Sequence, residues 1–277
     1  MTEPRRRVTA ETWRDYPETD LFLELPGALV LALDWLDWDS RFFGLPCYRL
    51  FAGDCRVCDG AVDTGALMMA AAQFPRCAVW AKVPPQAPPA LTEAIQALGG
   101  KFIETELTLG HNGTAAAPAT VAGVKIREAD TLARTGFLEL GRTFSLTRFH
   151  TDPRIGKDRA DALWTEYLRN FRLSPDRRAF LAEADGRIVG AVLASAGDAV
   201  NVIDIVAVAP AFAGRGIGRA LLQASLSWSI ATGRGCTVAT QHRNTGAIAF
   251  YRKNGFGRLE SATPVFHLWT ADRVGAS

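Results

Sequence analysis

Short apolar runs alternate with turn-forming clusters along the whole chain, and the rhythm changes near residue 111. Before that point, Ala28–Leu33, Cys47–Phe51, Cys77–Val83 and Phe102–Leu109 are apolar runs of strand length. They flank one well-marked helix, Ala90–Leu98, stopped by Gly99 and Gly100. The proline-rich VPPQAPP at 83–89 bends the chain between strand and helix. Asp34–Gly44 is dense in aromatics and is expected to pack in a core. The run HNGTAAAPATVAG at 111–123 is small, turn-prone and without period, as an interdomain linker would be.

After the linker the pattern is more regular. Val124–Glu128 predicts a strand, and Asp130 caps an expected helix reaching about Thr143. A polar loop, SLTRFHTDPRIGKD, leads to a helix around Arg159–Phe171, whose Trp164, Tyr167 and Phe171 face either core or a pocket. Ala179–Ala184 and Arg187–Ser195 are strands joined by Asp185-Gly186, a strong hairpin signal. A turn at Gly197-Asp198 gives a third strand, Val200–Val208. This meander feeds a glycine loop, Ala213 to Arg219, which opens a helix running to Thr232. Ile217, Leu221, Ala224, Trp228 and Ala231 form that helix's apolar stripe, and Gly233 stops it. Then come a strand, Cys236–Gln241, and a helix, Thr245–Asn254, capped by Asn244 and ended by Gly255. The expected organisation is a polar tail at 1–20, a small α/β domain at 21–112, a linker at 113–123 and a second domain at 124–272. No internal repeat of 20–50 residues is visible.

Composition narrows the class. The 277 residues, 48% hydrophobic and 22% charged, are those of a globular chain of one large or two ordinary domains. A net charge of +2, from 31 basic and 29 acidic residues, argues against a nucleic-acid or membrane-surface binder. No run approaches the roughly 20 apolar residues of a membrane span. Arg5, Arg6 and Arg7 precede no apolar segment of a secretory signal, and five cysteines suit a reducing cytoplasm. Cys55 and Cys58 form a single C-x-x-C pair, with Cys47 and Cys77 in apolar runs, so no metal is expected.

The glycine loop carries the chemistry. Gly214, Gly216 and Gly218 let successive N–H groups of Gly214, Arg215, Gly216, Ile217, Gly218 and Arg219 line one concavity at a helix N-terminus, suited to a pyrophosphate. Gly218 is followed by Arg-Ala rather than Lys-Ser/Thr, so this is no Walker loop. A G-x-G-x-x-G fingerprint fails from either starting glycine, and an antiparallel meander is wrong for a dinucleotide fold. Asn244 and Tyr251, seven residues apart, share one helix face.

VIDIVAVAPAFAGRGIGRALL followed by QHRNTGAIAFYRKNGF resembles the GNAT acetyltransferase superfamily. The resemblance covers about 121–270 and implies an α/β (α+β) acyl-CoA N-acyltransferase fold with a mixed, mainly antiparallel sheet. It implies an acyl-CoA-dependent enzyme using acetyl-CoA, held by Val206, Ala207, Val208, the 214–219 amides, Asn244 and Tyr251. One departure is Ala213, where the family usually has Arg or Gln; it removes a side chain but leaves the amides. WDSRFFGLPCYRL, ALGGKFIETELTL and RFHTDPRI are further similar to the TDP-fucosamine acetyltransferase branch, implying a dTDP-linked 4-amino sugar as acceptor. In that branch the tyrosine matching Tyr251 is the proton donor. Arg148, Phe149, His150 and Asp152 are the expected substrate contacts, and the base is Asp204, His150 or water. The resemblance leaves open another amine (an aminoglycoside, a polyamine or a peptide), a non-catalytic acyl-CoA sensor, and a homodimer.

Overall fold

Leu21, Leu23 and Leu25 are buried while Phe22 and Glu24 between them are less so, the period-two pattern of a strand with one covered face. A computed structural model describes residues 4–57, 62–113, 119–132 and 136–270. The chain divides into two units, one of residues 1–105 with 262–277 and one of residues 106–261.

In chain order the elements are β1 (Arg6–Thr9), β2 (Leu21–Leu25), β3 (Leu29–Trp35), α1 (Asp37–Phe43), β4 (Cys47–Phe51), α2 (Thr64–Ala71), β5 (Ala78–Lys82), α3 (Pro89–Ala97) and β6 (Lys101–Gly110). There follow β7 (Lys125–Glu128), a 3₁₀ segment (Leu138–Thr143), α4 (Arg148–Thr151), α5 (Lys157–Asn170), β8 (Arg177–Ala184), β9 (Arg187–Ser195) and β10 (Val200–Val208). The last are α6 (Ile217–Ala231), β11 (Gly235–Gln241), α7 (Thr245–Lys253) and β12 (Arg258–Trp269). No helix among the described residues is long and apolar enough to cross a membrane.

The first unit corrects the expected tail. Arg6–Thr9 pairs in parallel with β2, and Trp13 is fully buried, edge-on to Tyr48 at 5.4 Å and Phe74 at 5.0 Å. The arginines that make this segment look solvated have partners. Arg5 donates to Asp34 at 2.8 Å, Arg7 to Glu24 at 2.7 Å, and Arg6 lies over the Tyr16 ring at 4.6 Å. The helix α2 escaped prediction because TGALMMAA shows no apolar stripe; Asp63 caps it, accepting from the Ala66 N–H at 2.9 Å. The aromatic segment closes on Gly44 (φ +68°), and Phe43 packs against Trp80 and Trp269 at 5.5 and 5.9 Å.

In the second unit the strand order is β6-β11-β10-β9-β8-β7, antiparallel throughout except β10 with β11. Asp185 (φ +50°) and Gly186 (φ +72°) make the expected tight hairpin. Asp130 caps no helix to Thr143. Residues 133–135 lie outside the described chain, Gly136 is left-handed (φ +79°), and only the 3₁₀ segment follows. Leu221, Leu222 and Leu226 of α6 pack with Val192, Ile203 and Val238 of the sheet.

Each unit repeats one plan. β2–β3–β4 and β8–β9–β10 are antiparallel meanders; β5 and β11 lie parallel to β4 and β10; α2 and α6 make those crossovers. An antiparallel strand then closes each sheet, β12 beside β5 and β6 beside β11. The closing strand comes from the opposite half of the sequence, because β6 and β12 each run across a unit boundary. The division therefore falls inside two strands and not in the 113–123 segment, of which 114–118 are outside the described residues.

Truncating Trp13 to Ala removes a buried ring from a close-packed aromatic cluster. We expect a loss of about 3–5 kcal/mol of unfolding free energy, read from urea denaturation.

Candidate functional site

Backbone pairing between β10 and β11 runs from Val200–Gly235 to Ile203–Val238 and stops, although β10 continues to Val208 and β11 to Gln241. Beyond that point the two strands line the walls of a cleft of about 350 Å³. On its other side β10 stays paired with β9 through Val208. The Ala209 N–H donates to the Val189 carbonyl at 2.8 Å, so Ala207 also turns its polar groups toward β9. Alternation then directs the N–H groups of Val206 and Val208 into the opening.

Val208 also lines a second cavity, of about 570 Å³, formed by Gly214, Gly216, Gly218, Arg219 and Phe250. Gly214 (φ +77°) and Gly216 (φ +83°) hold left-handed backbone, and a Cβ at either would meet open space. No side chain caps α6, which leaves its first-turn N–H groups facing a concavity at the positive end of the helix dipole. Ala213 lines the same cavity, and Arg215 turns aside over the Phe212 ring at 5.1 Å.

At the mouth of α7, the Asn244 side chain accepts from the Ala247 N–H at 3.2 Å, the expected cap. Asn244 and Tyr251 both line the cleft. Tyr251 is buried against Phe250 and Phe256, and burial alone raises its pKa, so the phenol stays protonated well past neutrality.

Asp204 is the one carboxylate among the described residues lining the cleft. Simple alternation leaves its direction open, and the structure explains why: β10 shifts register against β9 between Ile203 and Ile205, with Asp204 as the extra residue. Burial raises its pKa, opposed by the Ser195 hydroxyl that donates to it and by the nearby Arg177. Tyr167 is raised as well, by burial and then by the charge of Asp204.

Arg148, Phe149, His150 and Asp152, the expected substrate contacts, are not among the residues that line the cleft. RFHT is a helical turn, α4, rather than an open loop, and this turn packs its side chains. Phe149 and Asp152 are buried, and Asp152 accepts from the backbone N–H and Nε of Arg154 at 3.0 and 3.2 Å. The cleft wall is instead the run just before it, Thr143, Phe144, Ser145, Leu146 and Thr147, with Trp164 from α5. Trp164 lines the cleft, its ring 4.8 Å from that of Phe144, while also packing on the core that holds Phe171. The signal for this wall was the alternating hydroxyls at 143, 145 and 147, which the aromatic and charged RFHTD beside them outweighed. Cys47, Cys55 and Cys77 lie elsewhere; burial pushes the Cys55 and Cys77 thiols up to about 11 and about 12. Cys58 lies outside the described residues.

Residues 144–256 match the model of the Acetyltransferase (GNAT) family. The second unit has the GNAT fold. Over 134 residues the chain is 31% identical to the spore coat polysaccharide biosynthesis protein SpsD of Bacillus subtilis (strain 168), a match covering 47% of this chain and 46% of that protein. The match thus spans about half the length of that curated relative. A GCN5-related N-acetyltransferase from Sphaerobacter thermophilus aligns over 94% of this chain and 85% of its own, with 17% identity and a TM-score of 0.58. Another from Kribbella flavida aligns over 93% of each chain, with 16% identity and a TM-score of 0.55. A tandem GNAT protein from the clavulanic acid biosynthesis pathway aligns over 87% of this chain and 79% of its own, with 18% identity and a TM-score of 0.53.

In the second unit the raised pKa of Asp204 has a measurable consequence. A carboxyl whose folded pKa lies above its unfolded value stabilises the fold fully below the unfolded pKa, and that contribution is lost as pH rises through the folded pKa. Asp204→Asn keeps an acceptor for Ser195 and removes the charge. The variant should resist urea better than the parent at pH 7, with the advantage vanishing below about pH 4.

Proposed function

We propose that the chain transfers an acetyl group from acetyl-CoA to a primary amine, the favoured acceptor being the 4-amino group of a dTDP-linked 4-amino-deoxysugar. The observation that carries this reading is that Val208 lines both the glycine-loop cavity and the cleft holding Tyr251 and Asp204, so the two lie on either side of one strand end. The residues fit the cofactor. Gly214, Gly216 and the uncapped start of α6 offer N–H groups to a pyrophosphate, and the N–H groups of Val206 and Val208 offer donors to an extended amide-bearing arm. Acetyl-CoA supplies an activated thioester.

Each residue then has a task. The Val206 N–H, pointing into the gap, donates to the carbonyl oxygen as negative charge develops on it, an arrangement that needs no reorganisation during reaction. Asp204 draws in the cationic amine and fixes its orientation. Tyr251 delivers its proton to the departing sulfur. From reference values near 10 and 8.5 that transfer is uphill by about 2 kcal/mol in water. Burial raises the proton affinity of a thiolate held in the same dry cleft as well as that of the phenolate, so the gap need not widen.

Support for a sugar acceptor has two parts. SpsD is named for polysaccharide biosynthesis. The acceptor wall also sets the polar Ser145 beside the Phe144 and Trp164 rings, a combination suited to the polar groups and apolar face of a sugar.

Thiol release should be measured with dTDP-4-amino sugars, aminoglycosides, polyamines and peptides, and should be fastest with the first. CoA binding with no turnover on any amine would make the chain a sensor. Tyr251→Phe should lower kcat tenfold or more and leave CoA affinity within about twofold; wild-type turnover would remove Tyr251 from the chemistry. Asp204→Asn should raise the amine KM at least tenfold, with the CoA KM unmoved.

A further inference from the structure

His150 does not line the cleft, yet it is joined to it by a continuous chain of hydrogen bonds. Thr147 lines the cleft, and its Oγ1 lies 2.8 Å from His150 Nδ1. His150 Nε2 lies 3.0 Å from Asp161 Oδ1. Asp161 also pairs with Lys157 one turn earlier on α5, and the Lys157 side chain is 75% exposed. Buried at the Thr147 and His150 end, the chain reaches solvent at Lys157.

The direction of each bond follows from what each group can do. An ionised carboxylate only accepts, which assigns the neutral imidazole's proton to Nε2 and leaves Nδ1 an acceptor. The Thr147 hydroxyl therefore donates to Nδ1. Trp164 Nε1, a donor only, fills one lone pair of Thr147 Oγ1 from 3.2 Å. One lone pair of that oxygen remains, on a residue that lines the cleft.

We infer that Thr147, His150 and Asp161 form the route by which the acceptor's proton leaves. This rests on the proposed reading of the cleft as an amine acetylation site. The acceptor N–H donates to the free lone pair of Thr147 Oγ1. As that N–H bond breaks, its electron pair stays on nitrogen, the proton moves to Oγ1, and the original Thr147 proton passes to His150 Nδ1. The imidazolium so formed lies against the Asp161 carboxylate and releases a proton to water at the surface end. One proton enters and one leaves; Thr147 regains a hydroxyl proton, and His150, left protonated at Nδ1, returns to its Nε2–H form by proton exchange with solvent before the next turnover. Asp204 then binds the amine and need not take its proton. Thr147 would be the catalytic residue of the three, with His150 and Asp161 positioning and polarising its hydroxyl.

The test compares Thr147→Val, Thr147→Ser, His150→Gln and Asp161→Asn in the full chain, with acetyl-CoA and the best amine found for the parent. Thr147→Val and His150→Gln should lose at least tenfold in kcat, with the amine KM and the CoA Kd within about twofold. Thr147→Ser, which restores the hydroxyl, should recover to within threefold of the parent. With an alkoxyamine, which is already neutral at the assay pH, the deficit of Thr147→Val should shrink below threefold, whereas a packing defect would slow both acceptors equally. Parent-like kcat in Thr147→Val, or equal deficits on both acceptors, overturns the relay while leaving the acetylation reading intact. If the parent itself acetylates no amine, the reading beneath falls and the relay with it.

Discussion

Hydrogen-bonded strands rarely part company inside a sheet, because each N–H and C=O released must find another partner. In the second unit β10 and β11 do part, at Ile203 and Val238, and the cleft exists because they do. On one side β10 remains tied to β9, which holds the donors of its free edge in place. On the other, β11 leads into Asn244, whose cap sets the direction of α7 and so the position of Tyr251. The free edge of β10 and the tyrosine meet at one interruption in backbone pairing.

Electrostatics sharpen what the geometry opens. Burial pushes Tyr251 and Asp204 toward their protonated forms, and for Asp204 only the Ser195 hydroxyl and Arg177 work against that trend. A carboxylate half withdrawn from water costs stability, which is the usual sign of a position kept for binding or chemistry rather than for the fold. The extra residue at Asp204 belongs to the same logic. It turns one side chain of β10 into the cleft without disturbing the apolar positions on either side of it.

Much of this was legible in the sequence. Gly214, Gly216 and Gly218, the Asp185-Gly186 hairpin and the Asn244 cap are local signals with local causes, and each appears where its residues place it. The parts that were not legible depend on partners distant in the chain. Arg5, Arg6 and Arg7 read as a solvated tail because Asp34, Glu24 and Tyr16, which absorb them, cannot be assigned by proximity in sequence. A register shift at Asp204 is invisible to alternation, which assumes constant period. By sequence His150 is a loop residue, whereas α4 turns it toward Asp161, eleven positions on.

The unit boundaries within β6 and β12 bear on how the chain reaches its native state. β5, at residues 78–82, has its antiparallel neighbour in Val265–Trp269, more than 180 positions later in the sequence. The first unit's sheet therefore stays unfinished until residues 265–269 have been synthesised. Until then β5 presents an open edge, and β6, already synthesised, waits for β11. Such long-range pairing slows folding and extends the interval in which unpaired edges are exposed. The two halves of this sequence must mature together, and a chain cut between residues 113 and 123 would yield two fragments that each carry the other's last strand.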